Sequence, residues 1–136
     1  MNRSLRVALG AWAAPLAWAV LIFLGSSASI GAGRTLFPHA DKVVHALEYA
    51  VLAFLSARAF LRTRPAWAAG RVALASAALA AVYGATDELH QSFVPEREAA
   101  LADLAGDAAG ALAGAGLWAS VCRRRAALSG APGGSR

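Results

Sequence analysis

The stretch VALGAWAAPLAWAVLIFL, from Val7 to Leu24, decides the fold class of this chain. It holds 18 residues and no charged side chain. A helix rises about 1.5 Å per residue, so a run of this length crosses a hydrocarbon core of about 30 Å. Pro15 inside the run is tolerable in a membrane helix. The stretch therefore predicts a transmembrane helix near the start of the chain.

A cleaved signal peptide is the alternative interpretation of this run. Arg3 and Arg6 precede it, and the small residues SSAS follow at 26–29, as in a secretory signal. The length of the run favours a membrane span, because the apolar part of a signal peptide holds about 7–15 residues. Both interpretations give the same orientation.

Composition extends the membrane interpretation to the whole chain. Of 136 residues, 58% are hydrophobic and 15% are charged, and the mean hydropathy is +0.50. A soluble domain of this size would need more charged surface. The length fits one domain. Cys122 is the single cysteine, which excludes an internal disulfide and a cysteine-based zinc motif.

Three further apolar runs complete a predicted bundle of four helices. A Gly- and Ser-rich loop, the turn RTRP at 62–65 and a polar connector separate the runs. We therefore expect an all-α, polytopic membrane domain that ends in a flexible tail over residues 126–136. The predicted spans cover residues 7–24, 41–61, 66–85 and 99–122.

The basic residues are segregated along the sequence, which predicts the orientation. Four spans place both termini and the RTRP turn on one side, together with ten basic residues and no acidic one. The other side carries three basic residues, all eight acidic residues and all three histidines. By the positive-inside rule, both termini are expected on the cytoplasmic side of the membrane. This segregation argues against nucleic acid as a partner.

Ionisable residues recur on one face of the predicted helices, near their outward ends. Asp41, His45 and Glu48 fall at i, i+4 and i+7 of the second span. Asp87 and Gln91 have an i, i+4 spacing if the third helix continues that far. Ionisable groups inside a membrane are costly unless they are paired, protonated or hydrated, so they mark candidate sites. We expect them to form one shallow, outward-facing pocket.

The fourth span combines acidic residues with a seam for close packing. Asp103 and Asp107 share the face on which Gly106, Gly110 and Gly114 form two overlapping GxxxG steps. Lipid is a poor environment for a carboxylate, so this face should look into the bundle. The glycine seam also predicts a homodimer.

Structural roles are alternatives for several of these residues. Asp41 could cap a helix. Asp103 could pair with Arg97, six positions earlier. The intramembrane acids and His45 could form a buried hydrogen-bond network that fixes helix packing.

Three segments together resemble a known family. They are DKVVHALEYAVLAFL at 41–55, YGATDELHQSFVPERE at 83–98 and ADLAGDAAGALAG at 102–114. Their combination resembles the VanZ-like family of small bacterial membrane proteins, over roughly residues 10–122. The positions that match the family pattern are Asp41, Lys42, His45, Tyr49, Asp87, Glu88, Gln91, Phe93, Arg97, Asp103, Asp107 and Gly110.

The chain departs from the family pattern at two of its positions. Glu96 stands where the family usually has Gly, and Asp107 stands where it usually has Asn. The second change keeps hydrogen-bond acceptors and adds a charge or a proton. The resemblance implies an inner-membrane protein, and it links the founding member to resistance to the glycopeptide antibiotic teicoplanin. It implies no established reaction.

The candidate site follows from these positions. We expect proton transfer or catalysis from His45, Glu48, Asp87 and Glu88. We expect ligand binding by Asp41, Lys42, Tyr49, Gln91, Arg97, Asp103 and Asp107. The expected ligands are membrane lipids or lipid-linked envelope precursors. No metal or cofactor is expected, because no HExxH motif and no second histidine at ligand spacing is present.

Two other functional classes stay open. A small proton-coupled transporter subunit would use the intramembrane acids as a relay, although four spans leave little room for two gates. A noncatalytic partner of an envelope enzyme would use the polar residues for assembly. The residues favour no single reaction class, so whether the protein is an enzyme stays open as well.

Overall fold

The structure is a computed structural model that describes residues 2–27, 40–93 and 101–129. Within these ranges the side chains described exclude those of Arg3, Ala40, Asp41, Leu101, Ala102 and Asp103. The described residues form four α-helices, which confirms the predicted all-α class. They are α1 (Arg3–Ser27), α2 (Ala40–Thr63), α3 (Ala69–Gln91) and α4 (Leu101–Ser129).

Three of the four helices are long and apolar enough to cross a membrane. These segments are Ser4–Ser27, Lys42–Thr63 and Ala69–Gln91. α4 does not reach the same hydropathy, because Ala and Gly dominate its middle and charged residues lie at both ends. Three spans of the predicted four therefore have membrane character, and a membrane crossing by α4 stays a prediction.

All four helices run beyond the predicted spans, and the extension is largest at the C-terminal ends of α3 and α4. α3 continues through Gln91, six residues past the predicted end at 85, and its C-cap is Ser92. α4 continues past its arginines to Ser129, so residues 126–129 of the expected flexible tail are helical. Arginine and alanine are good helix formers, which explains this extension. The rest of the tail lies outside the described residues.

α2 is the central helix of the bundle. It packs most extensively on α4 and also contacts α3 and α1, while α4 packs on α3 as well. Its core side chains Tyr49 and Leu52 lie against Ile22 of α1, Ala80 of α3 and Ala111 of α4. α1 has a smaller contact with α3, and none with α4 within the described residues.

Backbone contact joins α2 to α4 along the glycine seam. A Cβ added to Gly110 would collide with the backbone carbonyl of Ala46, and one added to Gly114 would collide with that of Ala50. The GxxxG steps therefore bring together two helices of the same chain. A homodimer through these glycines stays a prediction, and Gly110 and Gly114 are already covered by α2.

The arginines that line two grooves gather at one end of the bundle. A groove there is lined by the first residues of α1 together with Arg62 in the last turn of α2 and Arg64 of the α2–α3 turn. A second groove lies between α2 and α4 and is lined by Arg58, Arg62 and Arg125. The start of α1, the turn and the end of α4 therefore share one end, as the charge pattern predicted.

A matched pair of glycine substitutions tests the seam. Gly110→Ala should lower the free energy of unfolding by about 1–3 kcal/mol, because its new methyl group meets backbone that cannot rotate away. Gly116→Ala on the same helix meets open space, so it should be neutral or stabilising by up to about 1 kcal/mol. Circular dichroism during titration with a denaturing detergent measures the free energy of unfolding of both variants. Equal stability of the two variants would contradict the seam.

Candidate functional site

A polar cluster lies inside the bundle, at the end opposite the arginines. We define it as His45 and Tyr49 of α2, Asp87, Glu88 and Gln91 of α3, and Asp107 of α4. Tyr49 and Asp107 are 0% exposed, Asp87 is 3% exposed and Glu88 is 8% exposed, so the helices enclose these side chains. The shallow, outward-facing pocket predicted from the sequence stays a prediction, because the flanking connectors 28–39 and 94–100 lie outside the described residues.

Asp87 is held by donors from two helices. The hydroxyl of Ser26 on α1 donates to Asp87 Oδ2 at 2.6 Å. The amide Nε2 of Gln91, one turn along α3, donates to the same oxygen at 2.8 Å. The other oxygen, Oδ1, is buried and has no hydrogen bond within the described residues. The carboxylate is therefore fixed in orientation, with one oxygen left for a further partner.

Asp107 and His45 face each other across the α2–α4 contact. Asp107 Oδ1 lies 3.4 Å from His45 Nδ1, and the His45 side chain is 13% exposed. Neither Asp107 oxygen completes a hydrogen bond with the described part of the chain. Gly84 of α3 makes room for this carboxylate, because an added Cβ would lie 3.1 Å from Asp107 Oδ2.

Glu88 completes a compact set of three potential metal ligands. His45, Glu88 and Asp107 each offer one ligand atom, and these atoms all lie within 4.8 Å of one another. The three residues come from α2, α3 and α4. The expectation of no metal depended on local motifs, and a set divided among three helices leaves no such motif in the sequence.

The remaining predicted site residues are not part of the polar cluster as defined above. Glu48 is half-buried and, like Asp87, interacts electrostatically with His45. Lys42 is half-buried in the first turn of α2. The side chains of Asp41 and Asp103 and the whole of Arg97 lie outside the described residues.

α1 contributes to the site, which the sequence did not predict. Besides the Ser26 bond, Ser27 Oγ lies 3.0 Å from His90 Nε2, and Trp18 donates from its indole nitrogen to the backbone carbonyl of Glu48 at 2.9 Å. The Gly- and Ser-rich surroundings of Ser26 and Ser27 predict a loop from residue 25, whereas both serines lie in the last turn of α1. The sequence feature that could have identified these serines is a pair of hydroxyl side chains at the end of the apolar run of α1, which stays helical through Ser27.

These features define a helical membrane protein with a buried polar cluster. A family model described as VanZ/LLP1 matches residues 11–123, from the first turns of α1 to the arginines of α4. The chain belongs to this family, which confirms the resemblance seen in the sequence. No curated protein and no solved structure gives a significant match.

The Ser26–Asp87 bond gives a prediction about stability. Ser26→Ala should lower the free energy of unfolding by about 1.5–3 kcal/mol, because it removes a hydrogen bond to a buried carboxylate. The control is Ser120→Ala, whose hydroxyl bonds only within α4, at its exposed surface. It should change stability by less than about 0.5 kcal/mol. Unfolding in detergent measures both variants, and an unaffected Ser26→Ala would show that the bond does not support the bundle.

Proposed function

We propose that this VanZ/LLP1 family member binds the headgroups of envelope lipids, or of lipid-linked envelope precursors, through its polar cluster. We further propose that this activity lowers susceptibility to teicoplanin. Family membership supports the link to glycopeptide resistance. The observation that carries the proposal is the fully buried carboxylate of Asp107 within a bundle of membrane character.

The energetic cost of the cluster supports a functional role. Burying an ionisable group in a membrane bundle costs several kcal/mol unless partners compensate for it, and such residues are functional candidates by default. A purely structural network would satisfy its polar atoms. Here Asp87 Oδ1 and both oxygens of Asp107 have no hydrogen bond within the described residues. Since Asp107 Oδ1 faces His45 Nδ1 at 3.4 Å, Asp87 Oδ1 and Asp107 Oδ2 are the acceptors that we propose for a ligand.

The position of the cluster supports headgroups as ligands. Asp87 and Gln91 lie in the last turns of the α3 span, and Ser26 lies at the end of the α1 span. The ends of membrane spans lie at the level of lipid headgroups. Headgroups carry hydroxyls, amines and phosphates, which the acceptors of Asp87 and the donors of His45 and Gln91 can bind. Lys42 and Arg97 would supply positive charge toward a phosphate.

The charge pattern supports an outward-facing cluster with both termini in the cytoplasm. The arginines gather at the opposite end of the bundle, and the positive-inside rule assigns that end to the cytoplasm. The protein is then a multi-pass inner-membrane protein with its polar cluster toward the envelope.

Cysteine labelling tests this orientation. In a Cys122→Ala background, Ser92→Cys places a thiol at the exposed end of α3, and Ser129→Cys places one at the exposed end of α4. A membrane-impermeant maleimide should label the first variant in intact spheroplasts and the second only after permeabilisation. The reverse pattern would invert the orientation and exclude an envelope-facing site.

A susceptibility assay tests the function itself. In a teicoplanin-susceptible Gram-positive host, the wild-type chain should raise the minimal inhibitory concentration of teicoplanin. Glu48→Ala and Asp87→Ala should abolish this increase, because Asp87 belongs to the cluster and Glu48 interacts electrostatically with its His45. Thr86→Ala is the matched control, since Thr86 is exposed and bonds only to the carbonyl of Tyr83 in its own helix.

Membrane insertion is quantified for every variant, so that loss of resistance is separated from loss of protein. Full resistance from both Glu48→Ala and Asp87→Ala would refute the site. Loss of resistance in Thr86→Ala at normal membrane levels would refute it as well, because the effect would then be unspecific.

A further inference from the structure

We propose that His45, Glu88 and Asp107 form a binding site for a divalent metal ion, with Zn²⁺ as the preferred ion. The site uses the same cluster as the proposed function, but the binding of the ion does not depend on which lipid or antibiotic is involved. One imidazole and two carboxylates are a nitrogen and oxygen donor set that suits Zn²⁺, with Mn²⁺ as the nearest alternative.

The geometry of the three ligand atoms fits a metal ion. In a tetrahedral site with bonds of about 2.1 Å, neighbouring ligand atoms are about 3.4 Å apart. His45 Nδ1 and Asp107 Oδ1 already lie 3.4 Å apart. All three ligand atoms lie within 4.8 Å of one another. The three side chains would therefore need to move inward by about 1 Å for their ligand atoms to coordinate a single ion.

A second, independent observation favours a ligand at this position. Asp107 is 0% exposed, and neither its two oxygens nor the facing His45 Nδ1 has a hydrogen bond within the described residues. Folded proteins rarely leave buried polar atoms unsatisfied, and each such atom needs a partner such as a water or an ion. A cation between the two residues would bind both at once.

The charge balance also favours a divalent ion. Glu88 and Asp107 place two carboxylates in a buried position between three helices, beside the imidazole of His45. A buried carboxylate is costly unless a cation or a hydrogen-bond donor compensates for it. A divalent ion would neutralise both carboxylates and would accept an electron pair from the neutral imidazole.

The surrounding packing holds the ligands in place before an ion arrives. Asp107 lies between Gly106 and Gly110 on α4, and His45 directly precedes Ala46, whose carbonyl contacts Gly110. Backbone contact therefore fixes the two helices that carry these ligands, as a high-affinity metal site requires. Three protein ligands leave a fourth position open, as in catalytic zinc sites. If the proposed function holds, this is where a headgroup phosphate oxygen would bind.

Metal titration of the purified full-length protein tests the site. The protein is stripped with a chelator in detergent and titrated with Zn²⁺ against a chromophoric competitor. We expect one Zn²⁺ per chain. His45→Gln, Glu88→Gln and Asp107→Asn should each weaken the affinity by at least about tenfold, because each removes a ligand. The matched control is His90→Gln, which removes a histidine at the same end whose imidazole lies beside Ser27, and it should bind as the wild type does.

Spectroscopy adds a readout that a structural role would not change. With Mn²⁺ as the probe, pulsed electron paramagnetic resonance should show nitrogen coupling from one imidazole, and His45→Gln should remove it. Gel filtration and circular dichroism confirm that each variant is folded, and three independent ligand variants keep the test informative if one misfolds. Absence of stoichiometric Zn²⁺ and Mn²⁺ binding by the wild type, or an equal loss in His90→Gln, would overturn the site.

The metal site and the proposed function fail in distinguishable ways. A wild-type chain that confers resistance without binding Zn²⁺ or Mn²⁺ overturns the metal site and leaves the proposed function standing. A chain that binds one Zn²⁺ through these residues and confers no resistance supports the metal site and refutes the proposed function.

Discussion

Backbone contact between α2 and α4 is the constraint on which the rest of the structure depends. Gly110 and Gly114 let the carbonyls of Ala46 and Ala50 lie directly against α4, so the register between the two helices is set by backbone atoms. Along the same contact, His45 Nδ1 lies 3.4 Å from Asp107 Oδ1. A side chain at Gly110 or Gly114 would push α2 and α4 apart, and His45 and Asp107 would then be separated as well.

The other two helices turn this pair into an enclosed cluster. α3 approaches closely at Gly84, so that Asp87 and Glu88 point into the same interior space as Asp107. α1 then covers Asp87 with the Ser26 hydroxyl. All four helices contribute, and each contributes through residues near one end. The chemistry of the site is thus a consequence of how the helices pack, and no single helix carries it.

The sequence predicts the parts of this arrangement that are local. Length and periodicity predict the helices, and the one-sided arginines predict which ends lie together. The GxxxG spacing predicts a close approach for α4, and Ala46 and Ala50 form a matching small-xxx-small step on α2. Small residues recur at this spacing elsewhere in the alanine-rich chain, for example at Ala73 and Ala77, so the spacing alone does not specify the partner helix. The His45–Glu88–Asp107 set and the role of Ser26 depend on contacts between helices far apart in the chain. Periodicity within a helix carries no information about such contacts.

The peripheral position of α1 has a consequence for access. α1 packs on α2 and α3 but not on α4 within the described residues, so on that side Asp87 is separated from the surroundings by one helix. A hinge of α1 away from its neighbours would open a sideways entrance from the bilayer while the glycine-packed pair stayed intact. A lipid could then enter headgroup first without its acyl chains leaving the hydrocarbon.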